Sequence, residues 1–397
     1  MIGVPILNRS QLSDIRGVTR MAIDGTDSIA EVVEKMHRTI PLRPAPLGVS
    51  ATDRPSGITG LVYRCVRGGI RLVGHAVDAS LSGVTMLLPE GESSPALDAY
   101  RSAANGVYGD YLLRTGNPLA IDMSLRHHGR RVDIHDPSSV FEQHGDVSPD
   151  KKLLVLVHGL CMNDQQWNRD GHDHGAELAN ELGYRPLYLR YNSGLHIVSN
   201  GRLLAEMLET LIENWATPLD EVVIMGHSMG GLVARSACHH ARQAGHVWPK
   251  YLRKLVFLGT PHHGAPLERG GHGLDLVMEM SPYSMPFTRL SKARSAGITD
   301  LRHGTISAGK DIVPLPSGVK CYAAAAMRAA KRSLLSERLI GDGLVTLDSA
   351  LGRHRDRARM LPIPTNRQWV GYGMGHRELL NHPEVYRQIS TWLQEPG

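Results

Sequence analysis

The chain has 397 residues, 42% of them hydrophobic and 21% charged, with a formal net charge of +5 from 44 Lys+Arg against 39 Asp+Glu. That length holds one large domain or two moderate ones with a sizeable core. Aromatic residues at 5% and the lack of any Lys/Arg block give no reason to expect a nucleic-acid partner, and no apolar run reaches the roughly 18 residues of a membrane span.

The opening Met1-Ile2-Gly3-Val4-Pro5-Ile6-Leu7-Asn8-Arg9 lacks the basic stretch and the apolar length of a signal peptide. Cys65, Cys161, Cys238 and Cys321 are dispersed, without C-x-x-C spacing, and read as reduced, buried thiols. A cytoplasmic location is expected from both observations. Residues 1–147 read as a largely helical extension or cap. Within it, 57–79 is an amphipathic helix whose apolar stripe is Ile58, Leu61, Val62, Cys65, Gly69, Leu72, Val73 and Ala76, with Arg64, Arg67, Arg71 and His75 on the other side. Such a helix either packs its stripe on a neighbouring domain, the expectation here, or makes peripheral contact with a membrane surface. Residues 95–113 suggest a second helix. A turn-rich connector, Asp136-Pro137-Ser138-Ser139 and Gly145 to Asp150, closes the region.

From 148 to 397 the pattern alternates. Strands are expected at 153–157, 185–191, 221–225, 254–258, 319–324 and 368–371. Helices are expected at 173–182, from a Ser199 or Asn200 cap to Trp215, after Ser228, and from Pro383 through Trp392. Strands alternating with helices over short connections predict an α/β domain, a mostly parallel sheet with helices on both faces. Between about 264 and 318 the alternation loosens. Pro282, Pro286, Pro314 and Pro316 interrupt it and Met278, Met280, Met285 and Phe287 cluster within it, which fits either a lid over an apolar site or an irregular packed connection.

Gly226-His227-Ser228-Met229-Gly230 carries the chemistry. It joins the apolar strand Glu221–Met225 to the helical Gly231-Leu232-Val233-Ala234-Arg235, so the serine sits at the apex of a strand–turn–helix. A serine hydroxyl needs a base to take its proton and an acid to orient that base, in the chain order Ser, acid, His on this arrangement. His376, in Gly371-Tyr372-Gly373-Met374-Gly375-His376, follows a strand and is the expected base; His382 is too close to a helix start and reads as a cap or surface residue. Asp342, in Gly341-Asp342-Gly343-Leu344-Val345, lies after the 319–324 strand, towards the end of the sheet where ligands bind, and is preferred as the acid over Asp311, which precedes that strand, and Asp348. The oxyanion of a tetrahedral intermediate needs two N–H donors. Met229 is one; the other is Leu160, or by one residue Cys161, in Val157-His158-Gly159-Leu160-Cys161.

Val157-His158-Gly159, Gly226-His227-Ser228-Met229-Gly230-Gly231, Leu258-Gly259-Thr260-Pro261-His262-His263-Gly264 and Gly341-Asp342-Gly343 resemble the bacterial lipase/esterase branch of the α/β-hydrolases, and most of all the GPI inositol-deacylase (PGAP1-like) family. The resemblance spans roughly residues 150–395. It implies the α/β-hydrolase fold, a triad of Ser228, Asp342 and His376, and a serine carboxylic-ester hydrolase acting on small-molecule or lipid esters. No cofactor is expected. An acyltransferase or thioesterase with the same triad is the alternative within enzymes. From another class, the alternative is a non-catalytic scaffold for a membrane surface or partner. Secreted lipases resembling this chain can hold a structural calcium, but no acidic, oxygen-rich loop here asks for one, and His172 and His174 at i, i+2 make a weak metal signal; no metal is expected. His262 and His263 are expected beside the site in local hydrogen bonds, and His239 and His240 at the surface. The oligomeric state and acyl chain length are not legible.

Overall fold

A computed structural model describes residues 8–39, 58–87, 95–142, 151–265, 295–309, 312–329 and 342–396. By internal contacts the chain divides into two compact units, Met1–Leu97 with Thr115–Leu119, and Asp98–Arg114 with Ala120–Gly397.

The first unit is built on two long helices, α1 (Arg9–Thr39) and α2 (Ile58–Leu87). They run antiparallel. Arg16 grips Asp78 through Nε and Nη2 at 2.6 and 2.9 Å, and Arg67 grips Asp27 at 2.9 and 3.2 Å. Between these clamps Gly74 lets the helices close: a Cβ there would lie 2.7 Å from Ile23 Cγ2. The inner face of α2 is therefore Arg67, Gly74 and Asp78. The stripe expected to pack is instead outward where its side chains are described, with Leu72 72% and Val73 61% exposed. The reason is electrostatic: Asp27 of α1 draws Arg67 inwards, Arg16 of α1 draws Asp78 inwards, and a glycine offers the closest approach.

In the second unit the described strands form one eight-stranded sheet: β1 (Ser124–His127), β2 (Arg130–Arg131), β3 (Lys152–Val157), β4 (Arg185–Arg190), β5 (Glu221–His227), β6 (Leu252–Leu258), β7 (Lys320–Met327) and β8 (Gln368–Tyr372). The order is β2-β1-β4-β3-β5-β6-β7-β8, and only the β2–β1–β4 edge is antiparallel. This is the α/β-hydrolase fold. The hairpin β1–β2 draws residues ahead of position 147 into the sheet. Helix α3 (Pro95–Arg114) shares in the same unit from Asp98 onward, and the short α4 (Ser138–Glu142) follows the hairpin. Its Asp98 accepts from Arg190 Nη2 of β4 at 3.0 Å, while Arg190 also pairs with Asp164. The compact division thus falls elsewhere than the boundary expected near 147.

Both faces of the central strands are buried. Alternation with period two sends Leu153, Val155, Val157, Val222, Ile224, Leu255, Phe257, Ala323 and Ala325 to one core. There they meet Leu204 and Leu208 of α6 (Ile197–Glu213) and Leu232, Val233 and Ala237 of α7 (Met229–Ala244). Leu154, Leu156, Val223, Met225, Val256, Tyr322 and Ala324 face the other core. They pack with Leu178 of α5 (His174–Leu182) and Val385, Ile389 and Trp392 of the C-terminal helix Pro383–Gln394. Helix α6 starts at Ile197, ahead of the Ser199 or Asn200 expected. Its cap comes from far away in sequence: Ile197 N–H donates to Asp300 Oδ2 at 2.9 Å, and His196 at the N-cap position makes no side-chain cap bond.

Candidate active site

The apolar run Val222–Met225 makes β5 a central strand, and Ser228 stands where β5 turns into α7. Its backbone is at φ 54°, ψ −123°, a region that costs a non-glycine residue about 1–3 kcal/mol and persists only when its surroundings impose it. They do so here. Ser228 N–H donates to Leu258 O of the neighbouring β6 at 2.8 Å. Two glycines allow the crossing: a Cβ on Gly226 would lie 2.5 Å from Gly231 Cα, and one on Gly230 would overlap the Val157 carbonyl oxygen. Ser228 is fully buried, and its Oγ has no hydrogen-bond partner among the described residues.

Asp342 and His376 meet. Asp342 Oδ2 lies 2.6 Å from His376 Nδ1, and both side chains are buried. The carboxylate is held in place by its other oxygen, which accepts the N–H groups of Leu344 at 2.9 Å and Val345 at 2.8 Å. Arg328 Nε donates to the Asp342 carbonyl at 3.1 Å. A carboxylate can only accept, so His376 Nδ1 carries the proton and Nε2 is left with its lone pair. Nε2 is buried without a partner among the described residues, as is Ser228 Oγ, so the Ser–His hydrogen bond is not closed in this arrangement. In a free site such bonds are commonly loose and tighten on substrate. Gly259 lies against the imidazole: a Cβ there would be 2.8 Å from His376 Cε1.

The loop after β3 also approaches the serine. A Cβ on Gly159 would be 3.1 Å from Ser228 Cβ, so glycine admits this loop to the nucleophile. The two donor candidates left open by the sequence separate here. Cys161 N–H is committed to Ser193 Oγ at 3.0 Å, whereas no acceptor among the described residues takes the Leu160 N–H. Met229 opens α7, where first-turn N–H groups have no intrahelical acceptor. His158 shapes the turn: its Nδ1–H donates to Gly159 O at 2.8 Å, its ring stacks on Tyr191 at 4.3 Å, and burial pushes its pKa down to about 4, so it is neutral.

The other candidates fall elsewhere. Asp348 is exposed in the one-turn helix Leu347–Ala350, and Asp311 lies outside the described residues, as do Pro282, Pro286 and the Met278, Met280, Met285 and Phe287 cluster. His382 caps the C-terminal helix, accepting Glu384 N–H at 3.2 Å. His262 is buried against Phe257 and Arg235, and His263 lies against His354. His172 Nε2 lies 2.8 Å from His174 Nδ1, and His174 Nε2 donates to Leu379 O at 3.0 Å, which ties the α5 entry to the His376 segment. Among the described residues no group of three or more His, Cys, Asp and Glu is arranged to hold a metal. Sequence reasoning passed over His227, whose Nε2 lies 3.3 Å from the His376 carbonyl oxygen. The signal was its position beside the serine.

Residues 149–328 match the family model described as PGAP1-like alpha/beta domain, a span that contains Leu160, Ser228 and Met229 and stops short of Asp342 and His376. The mature lipase BlEst2 of Bacillus licheniformis is similar at 20% identity over 62% of this chain and 93% of its own, with a TM-score of 0.43. The ester-hydrolase EH1AB1 from the metagenome of Lake Arreo is similar at 15% identity over 63% of this chain and 75% of its own, with a TM-score of 0.40. The Pyrococcus furiosus esterase Pf2001 is similar at 15% identity over 62% of this chain and 81% of its own, with a TM-score of 0.38. A search of curated proteins found no match.

Proposed function

We propose that this member of the α/β-hydrolase superfamily is a serine carboxylic-ester hydrolase working through an acyl-enzyme on Ser228. The observation that carries the reading is the buried Asp342–His376 pair, joined at 2.6 Å, next to a serine held at positive φ with an unpartnered hydroxyl. Ser228 Oγ attacks the ester carbonyl carbon while His376 Nε2 takes its proton. Asp342 fixes the ring tautomer and stabilises the imidazolium. The negative charge that develops on the carbonyl oxygen is met by the Leu160 and Met229 N–H groups. Collapse expels the alcohol, which takes the proton from His376. Water, deprotonated by His376, then releases the acid and frees Ser228. Every proton passes through one imidazole, and no step requires a cofactor.

The substrate class is a small-molecule or lipid ester. A panel of p-nitrophenyl esters from short to long acyl chains tests the activity: turnover of some members by the wild type and its loss in Ser228→Ala supports the reading, and equal turnover in that variant refutes it. Added alcohol separates hydrolysis from acyl transfer by the products formed.

Peripheral membrane contact is supported by one feature of the first unit, the outward apolar residues Val66, Leu72 and Val73 of α2. No described helix is long and apolar enough to cross a membrane. Sedimentation with lipid vesicles, abolished in the double variant Leu72→Asp/Val73→Asp, is the expected result of such contact; a wild type that stays in the supernatant removes it.

A further inference from the structure

We propose that His227 is a positioning residue that holds the base segment in register with the nucleophile, its ring Nε2–H donating to the His376 backbone carbonyl. This rests on the reading of Ser228 and His376 as nucleophile and base. Three features support it. His227 ends β5 and is bonded directly to Ser228, so whatever its ring grips is tied to the serine backbone. Its Nε2 lies 3.3 Å from His376 O, and the two rings are 4.8 Å apart between centroids. The ring also abuts the loop after β3, since a Cβ on Gly159 would lie 3.2 Å from His227 Nδ1 and 3.1 Å from Ser228 Cβ. The nucleophile turn, the base segment and the proposed oxyanion loop therefore meet on one fully buried side chain.

The proton assignment follows from the partner. A carbonyl accepts only, so Nε2 carries the hydrogen, and Nδ1, which has no hydrogen-bond partner among the described residues, keeps a lone pair. Burial and the neighbouring His376 hold the ring pKa well below its ordinary value, so the ring is neutral and adds no positive charge beside the imidazolium that forms during turnover. Asp342 orients the His376 ring from Nδ1, and His227 fixes where the backbone carrying that ring sits.

Steady-state hydrolysis by His227→Phe, His227→Asn and His227→Gln tests the role. Glutamine places an amide N–H near the position of Nε2; asparagine is too short and phenylalanine has no donor. Misplacing reacting groups by about 1 Å costs on the order of 100-fold. The Phe and Asn variants are expected to lose about 10- to 100-fold in kcat with KM within about threefold, and Gln to stay within about threefold of wild-type kcat. A folded Phe or Asn variant with wild-type kcat overturns the proposal. So does a Gln variant as impaired as Asn, or loss of fold in both amide variants, which would make the residue a packing element. Ser228→Ala runs alongside: loss of hydrolysis there keeps the serine reading standing whatever the His227 variants do, and retained hydrolysis overturns that reading and this one together.

Discussion

Asp342→Asn isolates the orienting role of the carboxylate from its role in the fold. Asp342 Oδ1 accepts two backbone N–H groups, from Leu344 and Val345, and an asparagine carbonyl oxygen can keep both. Its amide nitrogen then faces His376 Nδ1 at the position where a carboxylate oxygen stood 2.6 Å away. An amide N–H donates, so Nδ1 must become the acceptor and the ring proton moves to Nε2. That nitrogen can no longer take the proton of Ser228. Loss of the correct tautomer costs about 10³- to 10⁴-fold in kcat, equivalent to about 4–5.5 kcal/mol of transition-state stabilisation. Stability should fall by about 1–3 kcal/mol: the Leu344 and Val345 N–H groups keep their acceptor, while the proton now on Nε2 meets no acceptor among the described residues. Asp342→Ala removes both acceptors as well and should be less stable than Asp342→Asn by about 2 kcal/mol or more. The assay is kcat on the best p-nitrophenyl ester, with thermal unfolding of each variant. An Asp342→Asn enzyme within tenfold of wild type refutes the assignment, as does an equal loss in Asp311→Asn, which should stay within a few-fold of wild type.

Three further outcomes follow from burial and close packing. Burial pushes the pKa values of His158 and His174 down to about 4. The folded state therefore resists protonation that the unfolded chain accepts at about 6.5; stability is full above that pH and falls as pH drops towards 4, by about 3 kcal/mol per histidine, and urea unfolding of wild type and His174→Gln from pH 7.5 to 4 should show a shallower decline in the variant. Gly230→Ala forces a Cβ onto the Val157 carbonyl oxygen, which is backbone and cannot yield cheaply, so it should lower stability by several kcal/mol and abolish activity; a normal melting curve contradicts the elbow packing. Burial raises the thiol pKa of Cys161 and Cys321 to about 12 and that of Cys238 further, so a thiol reagent followed by mass mapping should leave all three unmodified in the folded protein at pH 8 and modify them in urea.

The sheet was legible where strands are buried on both faces. Leu153–Val157, Val222–Met225 and Leu255–Leu258 are continuous apolar runs, and burial on two sides is what makes such a run necessary. The edge hairpin was not legible, because β1 is the four-residue Ser-Leu-Arg-His and pairs antiparallel at the sheet margin, where charged residues are admitted. Helix starts set by distant groups were also hidden: nothing near Ile197 announces that Asp300 will cap it. The same holds for α2, whose inner face is chosen by Asp27 and Asp78 pairing with arginines across two helices, a choice that one-helix periodicity cannot contain. In the site, Ser228, Asp342 and His376 each sat in a glycine-bounded turn whose local pattern was readable. His227 was quoted as part of the serine motif, but its partner is a carbonyl 149 residues away, and only the folded chain brings them together.

The proposed chemistry turns on Ser228 as the acylated nucleophile. Treatment of the folded full-length protein with a fluorophosphonate, followed by intact-mass measurement and peptide mapping, tests it most directly. One stoichiometric adduct is expected, on Ser228, absent from Ser228→Ala and formed far more slowly in Asp342→Asn. An unmodified folded wild type, or an adduct on any other residue that survives in Ser228→Ala, would contradict it.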